Sequence, residues 1–283
     1  MAYFYLFLIV VFVSAQNVLS KKYNTSEYEH NVHFYNAVTA FSSLLFFLIS
    51  AGFRFELAIA YLPYSLAFGI AAFCAFEGLV LSLKTGPLSL TSLIISYSLI
   101  IPAFHGMIFL NERIGYLTWI GILFLVISLV LINIKKEDDE KFTRSWIVYL
   151  IITFIGNGMC SVIQKAEQVA LDGAYKSEFM IAALIISGTG SLICGLVTGK
   201  NRLREFIHTL PTGIPRGIAN GATNLLVMII TGVLASSIVF PTISAGGIVL
   251  TFIIAVCVYR ERLSRPQLIG YILGTASVVL LNL

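Results

Sequence analysis

The sequence predicts an all-α integral membrane protein with ten transmembrane helices, arranged as two inverted repeats of five helices. One observation is the composition: 58% of the 283 residues are hydrophobic and 11% are charged, whereas a soluble domain has about 25% charged residues. A chain this apolar cannot cover a water-exposed surface, so its predicted surroundings are a lipid bilayer. The other two observations are ten apolar segments of membrane-spanning length and an internal sequence repeat.

Charged and turn-forming residues divide the chain into apolar segments of about 20 residues, the length that crosses a bilayer as a helix. Helices are favoured over a β-barrel because the apolar runs are continuous rather than alternating. The predicted spans are 2–20, 32–51, 60–83, 88–110, 115–134, 146–168, 178–199, 212–234, 237–259 and 266–283.

The first apolar segment is predicted to be a retained span. Val13, Ser14 and Ala15 resemble the cleavage site of a signal peptide, but no Lys or Arg precedes the apolar run, as a signal peptide requires. Short joins later in the chain predict that consecutive helices are antiparallel neighbours. The longest polar stretch predicts a solvated linker, 135–145, between a first half, 1–134, and a second half, 146–283.

Two stretches 149 residues apart align without a gap. Residues 112–133 and 261–282 are identical at eight of 22 positions, and Glu112-Arg113 recurs as Glu261-Arg262. These charged pairs are predicted to end one helix and position the next. Because each half has five spans, an odd number, the second half enters the membrane upside down. Inverted repeats of this kind occur in many secondary transporters, with the site at the midplane between the halves.

The halves match more weakly elsewhere. Residues 17–21 in the first span face 161–165 in the sixth. The fourth and ninth spans both contain residues that interrupt helices, namely Pro102 in one and Pro241 with Gly246-Gly247 in the other, so breaks are predicted there.

Lys and Arg are unevenly distributed over the loops. Loops after the odd-numbered spans hold thirteen of the 18, the opposite loops hold four, and Arg216 is ambiguous at the start of the eighth span. Because cytoplasmic loops are enriched in Lys and Arg, both termini are predicted to lie outside the cytoplasm.

The residues of the repeat also carry a family resemblance. The first copy, Leu110-Asn111-Glu112-Arg113 followed by a span ending near Asn133, resembles the EamA repeat of the drug/metabolite transporter superfamily. So does the second copy, from Val239-Phe240-Pro241 to Tyr259-Arg260-Glu261-Arg262 and Asn282. The resemblance implies a secondary transporter that moves a small organic metabolite, an amino acid-like solute or a drug, by alternating access. Proton-linked export or exchange is the implied drive.

Glu77 is the sharpest functional candidate, because an ionisable residue inside a span is costly and therefore functional by default. Its carboxylate is predicted to bind substrate and to exchange a proton; the structural alternative is a Glu neutralised by protonation or by a neighbouring helix. Lys21 and Lys165 match across the repeat and are predicted to bind an anionic group of the substrate. The alternative for both is snorkelling to the membrane interface.

Amide and hydroxyl side chains complete the predicted substrate site. Asn220 and Asn224 are four residues apart and share one face of the eighth span. Helix-to-helix hydrogen bonding is the alternative role for such side chains. The remaining predicted substrate-binding residues are Asn17, Tyr97, Asn157 and Gln164, and Gln16 belongs to the same polar set. His105 is the histidine predicted to lie well inside a span, with a structural role favoured over a proton relay. Gly217-x-x-x-Gly221 and Gly270-x-x-x-Gly274 predict close packing of helices, with dimerisation through the last span as an alternative.

Other classes of function find little support. The four cysteines lie in apolar runs without CxxC spacing, so no metal site or disulfide framework is predicted. No P-loop is present, and no cofactor or nucleic acid partner is predicted. The rival hypothesis, a membrane-embedded lipid-modifying enzyme, needs clustered His, Asp or Glu that the sequence lacks. The predicted protein is therefore a multi-pass protein of the plasma (inner) membrane, a monomer or homodimer, whose partners are a small-molecule substrate and the lipid bilayer.

Overall fold

The computed structural model describes residues 2–24, 31–54, 56–85, 97–110, 115–133, 143–257 and 265–281. Within these ranges every regular element is helical, as predicted. The described helices are α1 (Ala2–Asn24), α2 (Val32–Ser50), α3 (Leu62–Thr85), α4 (Ile100–Phe109), α5 (Tyr116–Asn133), α6 (Arg144–Ala170), α7 (Lys176–Thr198), α8 (Arg202–Thr231), α9 (Ser236–Cys257) and α10 (Arg265–Leu281). A 3-10 turn, Tyr97–Leu99, precedes α4.

Five of the described helices are long and apolar enough to cross a bilayer: α1, α2, α3, α6 and α7. Shorter apolar helices occur in α4 and α5. The protein is therefore a multi-pass membrane protein. The start of the predicted fourth span, the two Glu-Arg pairs and most of the predicted linker lie outside the described residues.

The eighth helix begins ten residues before the predicted start of its span, at Arg202 instead of residue 212. Glu205, in its first turn, accepts hydrogen bonds from the backbone N–H groups of Lys200 (3.0 Å) and Asn201 (2.8 Å). These bonds satisfy amides at the helix start that have no intrahelical partner. The helix then continues through Pro211 and Pro215.

The predicted break in the ninth span is wrong, because α9 is continuous through Pro241 and the Gly246-Gly247 pair. A Cβ added to Gly246 would lie 2.7 Å from Val10 Cγ2 in α1. This glycine therefore permits the close approach of α1 and α9 instead of interrupting the helix. In the fourth span, helical geometry changes from 3-10 to α at Ile100, before Pro102.

Helices of the two halves pack against each other in matching pairs. Helix α1 packs on α8 and α9, whereas α6 packs on α3 and α4. Helix α2 packs on α7, and α5 packs on α10. If each helix is replaced by its counterpart in the other half (α1 by α6, α8 by α3, α9 by α4), the same set of helix contacts results. The inverted arrangement itself stays a prediction.

Hydrogen bonds between helix termini define the two ends of the bundle. At one end, which we call the Glu205 end, the Asn31 side chain donates to Glu205 (2.8 Å), and Thr143 donates to the carbonyl of Thr85 (3.2 Å). At the other, which we call the Lys165 end, the Lys165 ammonium donates to the carbonyls of Thr231 and Leu234. The two ends of α8 therefore contact different sets of helices.

Both glycine pairs pack within the chain, as predicted. Gly217 faces α2, where an added Cβ would lie 2.5 Å from both the Ser42 Cβ and the Thr39 carbonyl oxygen. The Ser128 hydroxyl of α5 donates to the carbonyl of Gly270 (2.6 Å), and a Cβ on Gly274 would lie 2.8 Å from the same hydroxyl.

Candidate functional site

A network of amide side chains lies between α1, α6 and α8, in the middle of the bundle. Asn220 donates to Gln16 Oε1 (3.1 Å), and Asn224 donates to Asn220 Oδ1 (3.1 Å). Gln164 donates to the side chain of Asn224 (3.3 Å) and to its carbonyl (3.2 Å). The structure therefore brings together three predicted site residues, Gln164, Asn220 and Asn224, with Gln16 as the fourth member.

Hydroxyl groups extend this amide network. The Gln16 amide also donates to Thr223 (3.0 Å), and the Ser43 hydroxyl of α2 lies 2.6 Å from the carbonyl of Gly217 and 3.1 Å from Asn220 Oδ1. The glycine at 217 allows α2 to come close enough for this contact. Helices from both halves of the chain thus share one polar network.

Glu77 lies in a separate cluster nearer the Glu205 end. One of its carboxylate oxygens pairs with His33 Nδ1 of α2, and the other accepts a hydrogen bond from the Ser191 hydroxyl of α7 (2.9 Å). All three side chains are buried. A Cβ on the neighbouring Gly78 would lie 2.6 Å from the Thr153 hydroxyl, so α6 packs closely against α3 at this level. The carboxylate is therefore held by both halves of the chain.

His33 was missed in the sequence because it stands in the first turn of its helix, directly after a polar segment. The sequence instead predicts His105 as the histidine well inside a span. In the structure His33 is buried, whereas His105 is half-buried and stacks on Phe109, with ring centroids 5.1 Å apart. The sequence feature that indicates a buried His33 is its position within the predicted second span.

Lys165 is buried near the end of α6, away from Glu77. It borders a cavity of about 500 Å³ at the Lys165 end, where Lys176, Gln168, Asp172 and Thr231 also line the wall. The wall thus carries two lysines and one aspartate among apolar side chains, and both lysines donate to backbone carbonyls. The adjacent Glu167 accepts a hydrogen bond from Gln168.

The other predicted site residues are dispersed. Asn157 donates to the Ser98 hydroxyl (2.6 Å), and the Tyr97 hydroxyl donates to the carbonyl of Val126 (3.0 Å). Asn17 is exposed on α1. The side chain of Lys21 lies outside the described residues. The structure thus divides the eight predicted residues whose side chains it describes among several locations.

A second cavity, of about 470 Å³, lies among α1, α9 and α10. Its wall is almost entirely apolar, with Phe7, Val10 and Leu250 among the lining residues and the hydroxyls of Thr242 and Thr275 at its edge. Such a wall can hold a hydrophobic group but offers no charge.

Comparisons with known proteins agree with this architecture. Residues 1–134 match the EamA-like transporter family. The chain also superposes on a protein of known crystal structure with a TM-score of 0.77, over 99% of this chain and 95% of the other, at 13% sequence identity. An identity this low shows a shared fold alone. No curated protein matches the sequence.

Proposed function

Because residues 1–134 match the EamA-like transporter family, we propose that the chain is a secondary transporter that moves a small organic metabolite by alternating access. The substrate is an amino acid-like solute or a drug, and transport is proton-linked export or exchange. The two five-helix halves are inverted repeats that move relative to one another, in a monomer or homodimer of the plasma (inner) membrane. The matching helix pairs described above support the inverted arrangement.

The observation that carries the proposal is the position of the buried polar side chains between the halves. Glu77 of α3 accepts a hydrogen bond from Ser191 of α7 (2.9 Å), and Asn220 of α8 donates to Gln16 of α1 (3.1 Å). Polar residues in a bilayer are costly unless they bind a solute, an ion or each other. Side chains that bridge the two halves exchange their hydrogen-bond partners when the halves move apart.

Glu77 is the proposed proton carrier. Its carboxylate has a neighbour that can accept a proton, His33, and a neutral donor, Ser191. When the halves separate, Ser191 leaves the carboxylate, which then needs a proton or a cationic substrate to stay in the membrane. The amide network is the proposed substrate contact, with Lys165 and its cavity at one exit.

The test has two steps in purified full-length protein. A thermal-shift screen against amino acids, sugar nucleotides and cationic drugs identifies a ligand, because binding to the folded form raises the melting temperature. Flux of that ligand is then measured in proteoliposomes with an imposed proton gradient. We expect Glu77→Gln to abolish gradient-driven flux and the exposed control Glu56→Gln to transport like the wild type. Wild-type flux through Glu77→Gln would remove Glu77 from the mechanism.

The rival function, a membrane-embedded lipid-modifying enzyme, is less well supported by the same cluster. A serine nucleophile needs its hydroxyl hydrogen-bonded to the histidine that removes the proton. Here Ser191 and His33 both contact Glu77, which stands between them. A carboxylate in the central position suits proton or cation binding. Turnover of a lipid headgroup by the purified protein would reverse this choice.

A further inference from the structure

Arg216 is a half-buried cation with few partners, on the α2 side of α8. Its Nη1 donates to the Thr39 hydroxyl (3.1 Å), and its Cζ lies 5.0 Å from the centre of the Tyr35 ring. The Nε atom is buried and has no hydrogen-bond partner. A guanidinium carries five N–H donors in a planar fork, so most of this donor set is open to another group.

Two hydroxyl groups near Arg216 also lack partners. The Tyr35 hydroxyl is buried without a hydrogen bond, and so is that of Thr212. Thr212 precedes Arg216 by one helical turn, and helical side chains lean toward the N-terminus of their helix. The guanidinium of Arg216 therefore extends over the turn that holds Thr212. Three groups that can donate hydrogen bonds are thus concentrated at one place.

The carboxylate that begins the same helix does not neutralise Arg216. Both oxygens of Glu205 are engaged, one by the N–H groups of Lys200 and Asn201 and the other by Asn31. Within the described ranges, the ion pair found joins His33 to Glu77, which lies on the other side of α2. A charged donor atom that is buried without a hydrogen-bond partner is unfavourable, so an anionic group that accepts from the Arg216 Nε would stabilise it.

The aromatic groups around Arg216 are already in place for such a partner. Tyr35 stacks on Tyr23 with ring centroids 4.0 Å apart and planes 2° from parallel. The Tyr23 hydroxyl donates to the carbonyl of Asn31 (3.1 Å). Tyr35 therefore contacts both Tyr23 and the guanidinium, while its hydroxyl has no partner of its own.

We propose that Arg216, with the hydroxyls of Tyr35 and Thr212, forms a binding site for an oxyanion, a carboxylate or phosphate group. The planar guanidinium matches two oxygens of such a group. The oxyanion comes either from a soluble molecule or from a lipid headgroup, because Tyr35 lies in the first turn of α2, near the Glu205 end. The site does not depend on the transport cycle proposed above.

The test measures the melting temperature of the full-length protein in dodecyl maltoside, which contains no phosphate. One arm adds inorganic phosphate, compared with sodium chloride at equal ionic strength. The other arm adds phosphatidylglycerol, compared with diacylglycerol, which lacks the phosphate. The variants are Arg216→Gln, Arg216→Lys and Tyr35→Phe, and the matched control is Arg202→Gln, an exposed arginine of the same helix.

We expect one of the two probes to raise the melting temperature of the wild type and of Arg202→Gln, and to have no effect on Arg216→Gln. A response to inorganic phosphate assigns the site to a soluble oxyanion; a response to phosphatidylglycerol alone assigns it to a lipid. Tyr35→Phe should weaken the apparent affinity about tenfold, the value of one hydrogen bond to a charged group.

The proposal is overturned if neither probe raises the melting temperature of the wild type, or if Arg216→Gln responds as the wild type does. If Arg216→Gln does not fold, the melting temperatures of Arg216→Lys and Tyr35→Phe with each probe test the proposal instead. Unchanged affinity in both of these variants would overturn the proposal equally.

Discussion

Glu77 and Arg216 are both ionisable residues inside helices, and their surroundings differ in kind. Glu77 has a basic neighbour, His33, and a hydroxyl donor, Ser191. Arg216 has one hydroxyl acceptor and one aromatic ring. A charge in a bilayer persists only where the protein or a ligand stabilises it. Glu77 is therefore held by two polar partners, whereas the Nε atom of Arg216 has none.

Asn220 is the centre of the amide network, since its side chain contacts Gln16, Ser43 and Asn224. Asn220→Ala leaves these three groups without their shared partner. We expect the free energy of unfolding to fall by about 1–3 kcal/mol, measured by denaturant unfolding of the purified protein. Thr275→Ala is the control, because the exposed Thr275 hydroxyl bonds only within its own helix. Equal losses in both variants would contradict a network centred on Asn220.

For single residues, the sequence predicts which polar side chains lie within spans but not which of them contact each other. Asn220, Asn224 and Gln164 were named from their type and position, and they do meet. His33 lies within the predicted second span and Arg216 at the start of the eighth, but hydropathy does not give the depth that either side chain reaches. Pairing depends on which helices are neighbours, and a single sequence does not contain that information.

Helix α8 approaches α2 through a glycine, which makes the contact sensitive to a single methyl group. Gly217→Ala would place its Cβ 2.5 Å from the Thr39 carbonyl oxygen, so the helices must separate. We expect a loss of about 1–3 kcal/mol in the free energy of unfolding, as for other overpacked contacts. Gly232→Ala is the control, because its nearest neighbour would be the Ile229 carbonyl oxygen at 3.6 Å. A Gly217→Ala variant as stable as this control would show that the interface tolerates the change.

The first turn of α8, outside the predicted span, contains a carboxylate with a shifted pKa. Burial raises the pKa of Glu205, but hydrogen bonds from Asn201, Asn31 and Lys200 outweigh it and lower the pKa below its usual 4.5. A lowered folded-state pKa contributes stability above pH 4.5, and this contribution is lost as the pH falls through the folded-state value.

We therefore expect the melting temperature of the wild type to fall below pH 4.5 more steeply than that of Glu205→Gln. Thermal unfolding between pH 3 and pH 6 measures the difference. Glu178→Gln, in the first turn of α7, is the control and should retain the wild-type slope. Parallel pH profiles for the wild type and Glu205→Gln would exclude this role for Glu205.

Element boundaries followed from the sequence where apolar runs end sharply, as in α2 and α7. The predicted start of α8 is ten residues too late, and the predicted break in α9 is wrong because proline and glycine do not interrupt that helix. In α8 capping by Glu205 starts a helix before two prolines, and in α9 Gly246 is explained by the approach of Val10. Tertiary contacts outweighed local helix propensity in both places.

Across the whole molecule, successive helices run in opposite directions, so their starts alternate between the two ends of the bundle. The starts of α2 and α8 meet through Asn31 and Glu205, whereas the end of α6 meets the end of α8 through Lys165. The loops at the Glu205 end are those richer in Lys and Arg. This end is therefore the one predicted to face the cytoplasm.

Orientation can be measured with single cysteines in a chain whose four native cysteines are replaced by alanine. Thr198→Cys lies on an exposed site at the end of α7, and Val233→Cys lies on an exposed site after α8. We expect an impermeant thiol reagent to label Thr198→Cys from the cytoplasmic side and Val233→Cys from the outside. The reversed pattern would place both termini in the cytoplasm.

The number of helices and the membrane setting could be predicted from the sequence because hydropathy and length determine them almost alone. The arrangement of the helices could not, because a bilayer gives no hydrophobic preference for one neighbour over another. Small residues such as Gly217 and Gly274 gave the best indication of neighbours, and both pack as predicted.

Three polar residues of α8, Arg216, Asn220 and Asn224, are spaced four positions apart. A helix repeats every 3.6 residues, so each step of four turns the side chain about 40° further around the axis. The three residues form a spiral that begins at Thr39 of α2, passes Gln16 of α1 and ends at Gln164 of α6. A rotation of α8 about its axis would therefore disturb its contacts with α2, α1 and α6 together.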